Sequence, residues 1–196
     1  MANRRFSHAI AEGDGISVVA AVEDADSARA AEEQWAEALV VRGDPAAVRE
    51  GTTLPILWRA AVPLERAAEV ADAVMLVFDS LEDEDGRLEA LHEQALELGL
   101  DCAVEVRNED ELEQALERVD PEILLLSPVE AEDSEETALE FVLDLLAAVP
   151  AGKLAIADLE VTTADEVSEL ERAGVDAVIV HSRDVSLLAG GPPPEV

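Results

Sequence analysis

The feature that most constrains this chain is an alternation. Short runs of valine, isoleucine, leucine and alanine recur eight times, separated by longer stretches whose apolar residues keep helical spacing. Short aliphatic runs suit strands buried on both faces, and helices between them supply the crossovers that parallel strands require. The pattern predicts strands over residues 16–22, 38–41, 55–58, 73–78, 102–106, 123–127, 154–157 and 177–180. Between them, Leu88, Leu91, Ala95 and Leu96 fall on one helical face, as do Leu112, Ala115, Leu116 and Val119, and Phe141, Val142, Leu145, Leu146 and Val149. Asn108 with Glu111 and Thr163 with Glu166 have the spacing of capping boxes, and Gly99 and Gly174 stand where helices end in a left-handed residue.

Ala36-Glu37-Ala38, Ala71-Asp72-Ala73 and Val175-Asp176-Ala177 each follow a helix and lead into a strand, the mark of one βα unit reused. Eight such units close into a barrel. A doubly wound open sheet would carry a glycine-rich phosphate turn after its first strand, and here that turn reads Val22-Glu23-Asp24-Ala25-Asp26-Ser27. The expectation is an α/β fold: one (β/α)8 TIM barrel with a parallel eight-stranded wall over residues 1–196, with a short helix in 1–15 and a C-terminal tail at 190–196.

The chain carries 46 acidic against 13 basic side chains, a formal net charge of −33. Such a field repels phosphate backbones and anionic headgroups, so nucleic acid and membrane surfaces are excluded as partners. High-salt adaptation and GC-rich coding both fit this composition. No apolar stretch approaches the roughly 20 residues of a membrane span, and no apolar signal core follows Met1, so a cytoplasmic location is expected. Cys102 is the one cysteine, which rules out an intrachain disulfide and a multi-thiolate metal site. Lys153 is the one lysine. The run Glu82-Asp83-Glu84-Asp85-Gly86 has part of a calcium-loop pattern, but Leu81 and His92 stand where its first and last ligands belong. No metal and no cofactor are expected. Glu105 should lie inside the barrel near a strand end, where a buried carboxylate needs a partner or a task.

Phe6-Ser7-His8-Ala9-Ile10 followed by Gly15 to Ala20, the stretch 71–116 with Leu98-Gly99-Leu100 and Val104-Glu105-Val106, and Thr162 to Val167 through Ala173 to Val178 together resemble the indole-3-glycerol phosphate synthase family. The likeness spans nearly the whole chain, mostly at scaffold positions. It implies a barrel that closes an indole ring with loss of carbon dioxide and water. That chemistry uses cations for the substrate carboxylate, carboxylates for proton transfer, and a phosphate cradle at the last two strands.

The sequence departs from the family at those positions. The first-strand Glu-x-Lys aligns with Ala21 and Glu23, and the third-strand lysine with Arg59, a poor proton donor at neutral pH. Ser127-Pro128-Val129 replaces a sixth-strand Asn-Asn-Arg, and Ala157-Asp158-Leu159-Glu160 replaces Ser-Glu-Ser-Gly. Glu105 is kept. The resemblance therefore makes Arg59, Glu105 and Asp158 the catalytic candidates, and His181, Ser182 and Arg183 the substrate- or phosphate-binding candidates.

Two functions follow as expectations. One is a non-catalytic or repurposed barrel that holds a small anionic or phosphorylated metabolite or docks with a protein partner. The other is an active carboxy-lyase of tryptophan biosynthesis with a rearranged site. Monomer and homodimer remain open.

Overall fold

The computed structural model describes residues 5–11, 15–59, 63–78, 86–128, 137–181 and 185–188. Its elements run α1 (Arg5–Ala11), β1 (Ser17–Val22), α2 (Ala25–Glu33), β2 (Ala38–Val41), α3 (Pro45–Arg49), β3 (Ile56–Trp58), α4 (Leu64–Val70), β4 (Ala73–Val77), α5 (Arg87–Glu97), β5 (Asp101–Val106), α6 (Glu109–Arg118), β6 (Ile123–Leu126), α7 (Ala138–Ala147), β7 (Leu154–Asp158), α8 (Ala164–Ala173) and β8 (Ala177–Val180). A 3-10 turn follows at Val185–Leu187. The strands form a closed parallel barrel in chain order, with β8 pairing back onto β1 through Ser17 opposite Ala177 and Ala20 opposite Val180. All eight expected strands are present, with ends displaced by a residue or so, and the fold is the (β/α)8 barrel.

Strand side chains alternate between two apolar layers, as period-2 geometry requires. Val18, Leu39, Ile56, Val74, Val104, Leu124, Ala157 and Val178 belong to the layer shared with Ala28, Leu88, Leu112, Val142 and Leu170 of the surrounding helices. Val19, Val40, Leu57, Met75, Ala103, Leu125, Ile156 and Ile179 fill the interior. Phe6 and Ile10 of α1 join that inner cluster, and the Ser7 amide donates to Asp101 at 2.7 Å, so α1 plugs the N-terminal end of the barrel. The opposite end is where strands finish and βα loops begin.

Several helices start at side-chain caps. Thr137 with Glu140 and Thr163 with Glu166 form reciprocal capping boxes, and the Asn108 side chain accepts from the Glu111 amide at 2.8 Å. Gly99 and Gly174 have φ of 79° and 98°, the left-handed geometry expected after α5 and α8.

Helix α2 ends the same way with a different residue. The Ala36 amide donates to the Ala31 carbonyl at 3.0 Å and the Trp35 amide to Glu32 at 3.3 Å, a Schellman pattern that places Trp35 at φ 71°. A side chain with Cβ is strained there, and the residue is 51% exposed, so packing does little to compensate. Trp35→Gly is expected to stabilise the fold by about 1 kcal/mol, or about 2–4 °C in Tm for a chain of this size. Trp35→Ala keeps the strain and should give no such gain, and thermal melts of the two variants compare them directly.

Candidate active site at the barrel mouth

Period-2 alternation continues past the strand ends and decides which side chains reach the mouth. From interior Val40 the next inward position is Arg42. From Leu57 it is Arg59, from Ala103 it is Glu105, from Ile156 it is Asp158, and from Ile179 it is His181. Backbone bonds keep this register: the Arg59 amide donates to Val41 at 2.9 Å and the Ser127 amide to Val106 at 3.1 Å. Five polar side chains from five strands thus share one layer at the C-terminal rim, where barrel chemistry is placed.

Their contacts form a connected network. Arg59 Nη2 donates to both Glu105 oxygens, at 2.9 and 2.8 Å. The Glu105 side chain is 3% exposed and that of Arg59 30%, so the arginine supplies the charge that makes this burial tolerable. Asp158 Oδ2 lies 3.9 Å from both Arg59 Nη1 and Arg42 Nη2, within reach of charge but beyond a hydrogen bond. Its other oxygen, Oδ1, lies 2.7 Å from His181 Nε2. Arg59, Glu105 and Asp158, the catalytic candidates from sequence, are therefore brought together with His181, a candidate for substrate or phosphate binding. Ser182, Arg183 and the acidic run at residues 82–85 lie outside the described residues.

Arg42 was not among the sequence-derived candidates. The signal was present: it stands two residues beyond inward-facing Val40. Its side chain is 63% exposed, so it is the more accessible cation of the mouth. Arg107 is also near the rim, after β5, but its guanidinium turns to Glu111 of α6 at 3.3 Å. Lys153 precedes β7 at the other end of the barrel, where its ammonium bonds the carbonyl and carboxylate of Asp120. No lysine is at the mouth.

Beside the network, a cavity of about 460 Å³ opens between β1, α2 and the segment after β8. Ala20, Val22, Ala30, Ala31 and Val185 give it apolar walls, while Glu23, Asp24, Asp26, Ser27 and His181 give it polar ones. Ser27 and Asp24 are joined by a capping box that fixes the β1–α2 turn. Among the described residues, no group of three or more His, Cys, Asp or Glu is placed to hold a metal ion. No helix among them is long and apolar enough to cross a membrane.

Residues 61–184, well over half of the chain, match the family model for indole-3-glycerol phosphate synthase. The chain belongs to the indole-3-glycerol phosphate synthase family. Curated relatives agree: the indole-3-glycerol phosphate synthase of Shouchella clausii is 30% identical over 140 residues, covering 69% of this chain and 54% of that protein. That of Geobacillus thermodenitrificans is 28% identical over 138 residues, covering 68% of this chain and 52% of that protein. The chain thus spans about half the length of the curated relatives it matches.

Solved structures show the barrel alone. An N-acetylmannosamine-6-phosphate 2-epimerase from Clostridium perfringens superposes with a TM-score of 0.70 at 13% identity, covering 87% of each chain. A tryptophan synthase alpha-subunit from Pyrococcus furiosus gives 0.66 at 14% identity, covering 87% of this chain and 88% of that one. Membership in the indole-3-glycerol phosphate synthase family fixes the scaffold, while the mouth decides the chemistry.

Proposed function

We propose that this barrel no longer forms the indole ring and has been repurposed to hold a small anionic or phosphorylated metabolite at its mouth. The observation that carries this reading is the buried Arg59–Glu105 pair, in which Arg59 Nη2 donates to both carboxylate oxygens. Family resemblance makes Arg59 the cation for a substrate carboxylate and Glu105 a proton-transfer group. Here each neutralises the other, and separating them would leave Glu105 charged and buried, at a cost of several kcal/mol. The remaining positions reinforce the point. Ala21 cannot transfer a proton, Glu23 repels an anion, and Lys153 is held by Asp120 at the far end of the barrel.

The placement of two arginines supports retained anion binding. Arg42 and Arg59 both face Asp158 Oδ2 from 3.9 Å, so the N–H groups they turn toward that oxygen make no hydrogen bond to it. A guanidinium fork then suits a small carboxylate or phosphate. The competing reading, an active carboxy-lyase with a rearranged site, is favoured by one fact: Arg59, Glu105 and Asp158 do meet at one mouth.

Calorimetric titration at low ionic strength with inorganic phosphate and with a short dicarboxylate tests the binding role. Measurable affinity for one of them is expected. Arg42→Gln should weaken it about tenfold or more, the value of a charge-assisted hydrogen bond. Equal affinity in wild type and Arg42→Gln would exclude Arg42 from the site.

A further inference from the structure

We propose that His181 and Asp158 form a proton-transfer pair serving the cavity between β1 and α2, with His181 as catalytic base and Asp158 as its positioning residue. The substrate class is a small uncharged or cationic molecule with a removable proton. This inference goes beyond the anion-binding reading and does not depend on it.

The argument begins with the tautomer. Asp158 Oδ1 can only accept when ionised, so the ring nitrogen 2.7 Å away, Nε2, carries the proton. The neutral ring then has its lone pair on Nδ1, and a carboxylate that fixes the tautomer also stabilises the imidazolium formed when Nδ1 takes a proton. The pair spans β7 and β8, with Asp158 opposite Ile179 in the ladder, so rigid strands set its geometry.

His181 is also part of the cavity wall. About 460 Å³ suits a small molecule, and the apolar walls of Ala20, Val22, Ala30, Ala31 and Val185 favour a nonpolar body. Glu23 after β1, with Asp24 and Asp26 from the start of α2, lines the same space, so an anionic substrate is disfavoured. Arg42 and Arg59 face the far oxygen of Asp158, not its bond to His181. Base, positioning carboxylate and cavity therefore occupy one corner of the mouth, outside the Arg59–Glu105 clasp.

The probe is 5-nitrobenzisoxazole, an uncharged molecule whose ring opens when a base removes its carbon-bound proton. His181 Nδ1 takes that proton and the C–H electron pair becomes the third bond of a nitrile. The N–O bond breaks, oxygen leaves as a coloured phenolate, and the proton passes from the ring to water. No co-reactant is needed. Wild-type protein is expected to act about 100-fold faster than an equal concentration of free imidazole, the low end for a positioned base. The rate should rise with pH through one ionisation. His181→Gln should fall to background although His8 and His92 remain. His181 is exposed, so this variant should fold as the wild type does, which circular dichroism checks. Asp158→Asn should keep part of the rate, with the loss falling on kcat and KM for the probe little changed, since the carboxylate orients the ring without touching the substrate. A wild-type rate no greater than that of imidazole, or an equal rate in His181→Gln, would overturn the proposal. An unchanged kcat in Asp158→Asn would remove Asp158 from it.

Discussion

Arg59→Ala is expected to lower the stability of the barrel by about 3 kcal/mol, the low end of the range for breaking a buried ion pair because Arg59 still touches water. For a chain of this length that is about 6–12 °C in Tm. The loss comes from what remains rather than from what is removed. Glu105 is 3% exposed and pairs along β4 and β6 with Val77 and Leu125, so its orphaned carboxylate meets apolar neighbours. The double variant Arg59→Met with Glu105→Leu removes both charges and fills similar volume. It should regain most of the loss or exceed the wild type, as buried pairs replaced by apolar residues often do. Urea melts at constant salt measure the cycle. A small loss in Arg59→Ala, with no recovery in the double variant, would mean that the clasp is a weak surface contact.

Stability should also climb steeply with salt. A formal charge of −33 on 196 residues makes the folded state repel itself, and screening shortens that repulsion from about 10 Å at 0.1 M to about 3 Å at 1 M. The opposing effect is loss of exposed pairs such as Arg29 with Asp26 and Arg66 with Asp44. Such pairs contribute about 0–1 kcal/mol each, and basic residues are too few to make many of them. A like-charge contact costs about 0.3 kcal/mol, so relief summed over the acidic surface on the order of 3 kcal/mol, again about 6–12 °C, is expected. Thermal melts from low to multimolar potassium chloride follow the rise, with a sucrose series to separate screening from solvent exclusion. A flat or falling midpoint would show that the acidic surface is already neutralised by local partners.

The fold was legible because each strand announces itself as an aliphatic run, and cap signals at Asn108, Thr163, Gly99 and Gly174 mark several of the helices between. Ala38–Val41 and Ala177–Val180 have the bounds read from sequence. Asp101 and Asp158 extend β5 and β7 by one residue each, since backbone pairing does not stop where hydrophobicity does. At the mouth, strand parity alone places Glu105 in the rim layer with Arg59, Asp158 and His181. Parity also places Arg42 there, but comparison with family positions drew attention elsewhere.

The pairings were not legible. Arg59 and Glu105 are 46 residues apart, and nothing local tells Arg59 to spend both hydrogen bonds on Glu105 while Asp158 takes His181. Those choices depend on side-chain reach across a closed barrel. The cavity was hidden for the same reason, because its walls come from β1, α2 and the segment after β8.

The most direct measurement for the central claim is turnover of the family's carboxyphenylamino deoxyribulose phosphate substrate by the unmodified protein, followed by indole fluorescence at low and at multimolar salt. No turnover is expected in either condition. Glu23→Lys with Arg59→Lys should remain inactive too, because Ala21, Pro128 and Glu160 still differ from the family pattern. Turnover of about 1 per second or more by the unmodified chain, within the ordinary enzyme range, would contradict the account and return Arg59 and Glu105 to catalysis.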